Sequence, residues 1–334
     1  MTTTPAAAAA FRWGIIGTGG IAAAFARDVA RLPDAEVVAV GSRTGAGADA
    51  FGDEHGVARR HASYEELVAD RDIDAVYVAT PHNSHRDAAL LAIDAGHPVL
   101  VEKPFTVNAR EAEEVLNAAR ARGLFAMEAM WTRFLPHVVS IRTELAAGTL
   151  GTVRAVSADH GQYFPPDPVH RLFAPELAGG ALLDLGIYPV SFVSMVLGAP
   201  ERVSARSSKA FTGVDAQTSA VLEYADGAHG VVTTTLEAKT PCQAWIAGTE
   251  ARIEVDGTFY APSAYTLVHR DGRRERREFP FEGHGLRMQA AEVARCVRAG
   301  LTESPVLPHA EILSIMSTMD EIRRQIGLRY SWEG

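Results

Sequence analysis

Arg12-Trp13-Gly14-Ile15-Ile16-Gly17-Thr18-Gly19-Gly20-Ile21-Ala22 is the stretch that decides how this chain reads. A short apolar run ends in a turn, Gly17 to Ala22, with the pattern G-x-G-x-x-A. Residues 21–32 then repeat with helical period as far as Pro33. In a chain with 29 glycines the pattern alone says little; its place between a strand and a helix gives it meaning. The first glycine permits the tight turn, the second lets the backbone approach a pyrophosphate, and the small third residue lets helix and strand pack closely. The helix N-terminus then faces the anion. Gly17, Thr18, Gly19, Gly20 and Ile21 are therefore the expected dinucleotide cradle.

The stretches that follow keep the same alternation. Strands are expected at 37–40, 75–79, 98–101 and 124–127, and helices at 46–55, 64–69, 84–95 and 108–122. Ser63 with Glu66 makes a capping box at the third helix. This β-α rhythm predicts a doubly wound parallel sheet, a Rossmann domain over 11–129. The second strand runs into Gly41-Ser42-Arg43-Thr44, where an NAD-preferring site usually places an acid. With no carboxylate there, Ser42 and Arg43 can donate to a 2′-phosphate, which favours NADP and leaves NAD open. Thr80-Pro81-His82, with His85 a turn later, and Glu102-Lys103-Pro104 fall at the carboxyl ends of successive strands, the edge where open α/β sheets bind ligands. All are candidates for cofactor contact. Lys103 has a further distinction: of 32 basic residues only Lys103, Lys209 and Lys239 are lysine. Lysine can titrate when buried and arginine cannot, so Lys103 is a candidate catalytic residue.

After residue 130 the rhythm changes. Helices are expected at 136–147, 185–197, 286–299 and 309–326, around alternating segments at 203–207, 219–224, 230–236, 245–248, 251–255 and 265–269. Turns such as Ala225-Asp226-Gly227 separate them, as in an antiparallel sheet. The second domain, 130–334, is thus α+β with an open, largely antiparallel sheet. Within Gly179-Gly180-Ala181-Leu182-Leu183-Asp184-Leu185-Gly186-Ile187-Tyr188-Pro189, Asp184 and Tyr188 are four apart and share a helical face. Pro189 requires the first turn of a helix or a kink. On spacing alone Asp184 reads as a simple N-cap and Tyr188 as a core aromatic.

Composition narrows the function classes. The chain has 334 residues, 47% hydrophobic and 22% charged, with a net charge of -9. That suits two globular domains and argues against a nucleic-acid binder. The basic run 270–277, interrupted by Asp271-Gly272, reads as a solvated hairpin. Two cysteines, Cys242 and Cys296, speak against a disulfide scaffold or a thiolate zinc site; no metal is expected, and a reducing, cytoplasmic setting is. No apolar stretch reaches the length of a membrane span by this reading, and 1–10 reads as a disordered tail.

Taken together, the glycine turn, Glu102-Lys103-Pro104 and the Gly-Gly…Asp184…Tyr188 segment resemble the Gfo/Idh/MocA oxidoreductases, from Arg12 to about Tyr330. The tyrosine at 188, where many members carry histidine, is similar to the branch of dimeric dihydrodiol and NADP-dependent D-xylose dehydrogenases. So are residues 127–134, Thr212-Gly213-Val214-Asp215 and Glu303-Ser304-Pro305-Val306. The resemblance implies hydride transfer between NADP and a hydroxyl-bearing carbon of a sugar, cyclic polyol or trans-dihydrodiol. It implies a catalytic group of Lys103, Asp184 and Tyr188, in which Lys103 lowers the tyrosine pKa. Trp131 and Arg133 would border the substrate, with His160 where the branch often has an aromatic residue. It also implies a homodimer through the open sheet, or a higher oligomer. Two other readings share the fold: a redox-neutral glycoside hydrolase, which the tyrosine disfavours, and a dinucleotide sensor, which has no use for the three polar groups.

Overall fold

The computed structural model describes residues 9–333. The first half alternates without exception: β1 (Phe11–Ile16), α1 (Gly20–Val29), β2 (Ala35–Gly41), α2 (Gly45–His55), β3 (Arg59–His61), α3 (Tyr64–Val68), β4 (Ala75–Val78), α4 (His85–Asp94), β5 (Val99–Val101), α5 (Ala109–Ala121) and β6 (Ala126–Glu128). The six strands form one parallel sheet in the order β3-β2-β1-β4-β5-β6. The order reverses between β1 and β4, and the crevice at that switch point is where such sheets bind dinucleotides. β4, β5 and β6 are buried throughout, as strands covered on both faces must be. The capping box forms: Ser63 Oγ accepts from Glu66 N at 3.1 Å, and Glu66 Oε2 accepts from Ala62 N at 2.9 Å. β3 was not foreseen, because Arg59-Arg60-His61 has no apolar alternation. It forms because the end of β2 offers an unpaired edge.

The second half continues with α6 (Pro136–Ala146), β7 (Val153–Gly161), α7 (Ile187–Leu197), β8 (Arg202–Lys209), β9 (Asp215–Glu223), β10 (His229–Thr235), β11 (Ala244–Gly248), β12 (Ala251–Val255), β13 (Tyr265–His269), β14 (Arg274–Arg277), α8 (Leu286–Arg298) and α9 (His309–Ile326). These strands build an eight-stranded sheet, β14-β13-β12-β11-β7-β10-β9-β8, antiparallel except for the β7–β10 pair. β7 and β14 are absent from the segment reading above. β14 completes the hairpin expected at 270–277, whose Asp271-Gly272 turn is closed by Gly272 N to His269 O at 2.9 Å.

α8 and α9 return to the first sheet. α8 packs on α1 and α9 on α5. Asp28, at the end of α1, is buried and accepts from the N–H groups of His284, Gly285 and Arg287 and from the Arg287 guanidinium. Asp320 of α9 accepts from Ala109 N, the first residue of α5, at 2.8 Å.

Two expectations need correction or restriction. Residues 175–197 are long and apolar enough to cross a membrane by composition, which the sequence reading denied. However, 83% of the apolar window is buried inside the fold, so this is a core segment. The tail expected over 1–10 lies outside the described residues as far as residue 8; Ala9 already has its carbonyl held by Arg298 at 3.0 Å.

Candidate active site

The glycine turn follows β1. Gly17 has φ +107, and a Cβ there would meet Ala79 O at 2.6 Å, so only glycine fits. Gly19 and Gly20 are different: a Cβ on either would meet nothing within 4 Å. Gly19 caps α1 without a side-chain hydrogen bond, which leaves the first N–H groups of the helix free for an anion. Thr80, at the end of β4, has a buried hydroxyl oxygen with no partner among the described residues. At the end of β2, Ser42 is buried with its hydroxyl over Gly47, at the start of α2, and Arg43 is exposed. Open space, free donors and an orphaned hydroxyl along one sheet edge fit a bound dinucleotide.

Lys103 follows β5 at the same edge. Its Nζ donates to Asp184 O at 2.8 Å and to Asp184 Oδ1 at 3.2 Å. An ammonium has three donors; the third has no partner among the described residues. Nζ also lies 4.9 Å from the centroid of the Tyr188 ring. Burial opposes the lysine charge, but Asp184, then Tyr188 and Glu102, outweigh it and raise the pKa above the ordinary lysine value. The loop beneath is braced by carboxylates. Glu102 accepts from the Tyr77 hydroxyl and from Lys103 N. Glu128, fully buried, accepts from Phe105 N at 2.9 Å, and burial pushes its pKa up to about 7.

Asp184 lies on an irregular turn. Leu182–Gly186 form a π-helical turn that runs into α7. Pro189 explains the need for outside donors here, since it has no N–H for the carbonyls a turn before it. Asp184 O takes Lys103 Nζ instead, and Leu185 O lies 3.2 Å from His160 Nδ1. The turn begins on a buried cap: Asp215 Oδ2 accepts from Leu182 N at 2.8 Å and from Thr218 Oγ1 at 2.9 Å. Gly180 has φ +124, and a Cβ there would collide with the Asp215 carboxylate, so this glycine serves the cap, while a Cβ on Gly179 would meet the carbonyls of Arg171, Leu172 and Ala174. Burial raises the Asp215 pKa to about 7.

Two cations and a histidine converge on Asp184. Beside Lys103, Arg171 donates from both terminal nitrogens at 3.0 and 3.2 Å, and His82 Nε2 is 3.5 Å from Oδ1. Burial alone would raise this carboxyl, but Lys103, His82 and Arg171 hold it well below the usual range. The Tyr188 hydroxyl accepts from Trp131 Nε1 at 3.0 Å. Burial raises its pKa, and Lys103 and the Trp131 hydrogen bond lower it only in part, so it stands above the ordinary tyrosine value. Lys103 does lower the tyrosine, as expected, but by less than burial raises it. The phenol is a proton donor whose hydrogen has no acceptor among the described residues. An oxygen placed there would accept from Tyr188 and from the free donor of Lys103, an arrangement suited to a carbonyl becoming an alcohol, or the reverse.

Of the expected site residues, Lys103, Asp184, Tyr188, Trp131, His82 and His160 are brought together. Arg133 is not. Its guanidinium is buried against Ser191 and Glu311, with Nη2 2.6 Å from Glu311 Oε1, so it ties α7 to α9 and does not border this space. His85 is fully buried between Pro104 O and Thr80 O, at 2.8 and 2.9 Å, and joins the two loops from behind. Arg171, Gln162, Tyr260 and His284 were missed. Tyr260 stacks on His160 at 4.0 Å, and His284 packs on Trp131 at 4.9 Å. Arg171 opens a three-residue 3-10 turn and the other three lie in loops, where spacing carries no signal.

Comparison with known proteins agrees with this geometry. The oxidoreductase family with an NAD-binding Rossmann fold matches residues 11–130, and the GFO/IDH/MocA C-terminal domain matches 138–254. The trans-1,2-dihydrobenzene-1,2-diol dehydrogenase of Bos taurus is 38% identical over 336 residues, 96% of this chain and 98% of the relative. The D-xylose 1-dehydrogenase (NADP(+)) of Hypocrea jecorina is 38% identical over 362 residues, 96% and 93%. Among solved structures, a 3-ketoreductase from Actinomadura kijaniata in complex with NADP and TDP-benzene superposes with a TM-score of 0.83 at 27% identity, covering 95% of this chain and 98% of that one.

Proposed function

Because this chain belongs to the Gfo/Idh/MocA oxidoreductase family, we propose that it transfers a hydride between NADP and a hydroxyl-bearing carbon of a sugar, cyclic polyol or trans-dihydrodiol. It is an NAD(P)-dependent oxidoreductase acting on CH–OH groups. The observation that carries the finer reading is the cluster itself: a charged Lys103 and a protonated Tyr188, each with one donor to spare, at the carboxyl edge of the dinucleotide-binding sheet.

In this reading Gly17–Ile21, Thr80 and the free start of α1 hold the pyrophosphate side of the cofactor, and Ser42 and Arg43 hold the 2′-phosphate. The nicotinamide, when bound, gives or takes the hydride. Tyr188 supplies the proton to the substrate oxygen in reduction and regains it in oxidation. Lys103 stabilises the charge that builds on that oxygen. Asp184, held in place by Arg171 and His82, fixes the lysine. Trp131 and His160 wall the space. We place the enzyme in the cytoplasm, in keeping with two buried, unpaired cysteines. We also propose a homodimer through the open sheet: Val221, Val231 and Trp245 are exposed and lie in one row across β9, β10, β7 and β11. Sedimentation as a monomer at micromolar concentration overturns the dimer.

The test of the function follows nicotinamide absorbance with NADP and NAD, in both directions, over aldoses, polyols and trans-dihydrodiols. Steady net turnover is expected, faster with NADP. Glycoside cleavage without net cofactor change, or binding without turnover, overturns it. Cofactor choice is tested on Arg43→Ala. Loss of a charge-assisted contact weakens NADP by roughly ten- to a hundredfold and leaves NAD nearly unchanged; equal weakening of both refutes the assignment.

A further inference from the structure

Pro189 sets the direction of a hydrogen-bond chain that ends beside Tyr188. Leu185 O can only accept, so His160 Nδ1, 3.2 Å away, carries the ring proton. Burial, then the Lys103 charge, lower the His160 pKa to about 3, so the ring is neutral and Nε2 is an acceptor. Gln162 Nε2 stands 2.9 Å from it. The amide must present nitrogen here, because its oxygen would set lone pair against lone pair. The second hydrogen of the same nitrogen goes to the Tyr260 hydroxyl at 3.1 Å, which therefore accepts. The proton of Tyr260 is left without an acceptor among the described residues, as is the amide oxygen of Gln162 without a donor. Burial holds the Tyr260 pKa up at about 12, so the hydroxyl stays neutral in ordinary buffers. Its ring lies 4.9 Å from that of Tyr188 and only 28° from the plane of His160. One wall of the site thus presents a donor whose direction is fixed from the backbone outward, and an acceptor next to it.

We propose that Tyr260, aligned by Leu185 O, His160 and Gln162, donates a hydrogen bond to a second oxygen of the substrate, so that the site selects polyhydroxylated substrates over those with a single oxygen. The proposal rests on the oxidoreductase reading above and adds the specificity determinant to it. A hydroxyl both accepts and donates, which is what Tyr260 and Gln162 Oε1 together require. A compound with one oxygen, held by Tyr188 and Lys103, leaves both groups unpaired.

The experiment compares kcat/KM for an aldose or cyclic polyol with that for cyclohexanol, in the parent, Tyr260→Phe, Gln162→Leu and the double variant. Thr132 Oγ1 holds the backbone carbonyl of Tyr260 at 2.7 Å, so the loop keeps an anchor in every variant. Tyr260→Phe should lower kcat/KM for the polyhydroxylated substrate about three- to tenfold and leave cyclohexanol unchanged. Gln162→Leu should do the same, and the double variant should fall no further, because both remove one interaction. Equal losses for both substrates, or none, overturn the proposal. A parent that turns over neither class with either cofactor overturns the oxidoreductase reading, and the proposal with it.

Discussion

The glycine turn and the Lys103 cluster share one edge of one sheet and are built by opposite means. The turn works by leaving side chains out. Gly19 and Gly20 border open space, and the groups the turn presents are backbone N–H. The cluster works by crowding them in. Asp184 touches Lys103, Arg171 and His82, and Tyr188 is wedged between Trp131, His160 and Tyr260. A site made of backbone is contiguous in the chain. A site made of buried charges must be collected from many segments, because each charge needs a partner the local chain does not hold.

The sharpest break of this contrast is Lys103→Met. It removes one charge from the crowded side and nothing from the open side. Turnover should fall by roughly 10²-fold or more, with NADP affinity by fluorescence titration nearly intact. Retained turnover removes Lys103 from the chemistry. Next in size is a pair of glycine variants. Gly19→Ala adds a methyl where the protein has empty space, so the melting temperature should hold while NADP weakens about tenfold. Gly17→Ala should instead lower the melting temperature, since its Cβ meets Ala79 O and its φ is +107. Identical behaviour of the two would show that the turn is not open in the way described.

The smallest effect tests the cap under the cluster. Asp215 has a pKa near 7 in the fold and an ordinary carboxylate value unfolded. The folded state therefore binds the extra proton between about pH 4 and 7, and its contribution to stability is lost as pH rises through that window. Arg323 and Tyr330 lie nearby and are unchanged by the substitution. Asp215→Asn should gain about 2 kcal/mol on the parent between pH 5 and pH 8, a few degrees in melting temperature. A difference that stays constant with pH shows that Asp215 is ionised throughout.

The same contrast explains what the sequence disclosed. The turn, Ser42-Arg43, Thr80 and Lys103 were legible because each ends a buried apolar strand, and the strand marks its edge. Asp184 and Tyr188 were visible as a pair but not as a site, since spacing four apart reads more readily as an N-cap and a core ring. Arg171 was hidden because its link to Asp184 spans an irregular loop. Arg133 was misplaced because the resemblance supplied a neighbour of Trp131 and not a direction; the indole reaches Tyr188, while the guanidinium reaches Ser191 and Glu311. β3 and β7 were missed for a simpler reason, as polar residues interrupt their alternation and only pairing shows them to be strands.

The return of α8 and α9 to the first sheet bears on how the protein can be made. All six strands of that sheet are present once residue 128 has been synthesised. Yet α5 packs on α9 as well as on α4, and the flank that meets α9 stays bare until residues 309–326 have been made. The carboxylate of Asp28 likewise waits for the N–H groups at 284–287. On the ribosome the nucleotide-binding half therefore stays sticky and incompletely capped for the whole time its partner half is being translated. A fragment cut at the boundary between the sheets would inherit that exposed flank permanently.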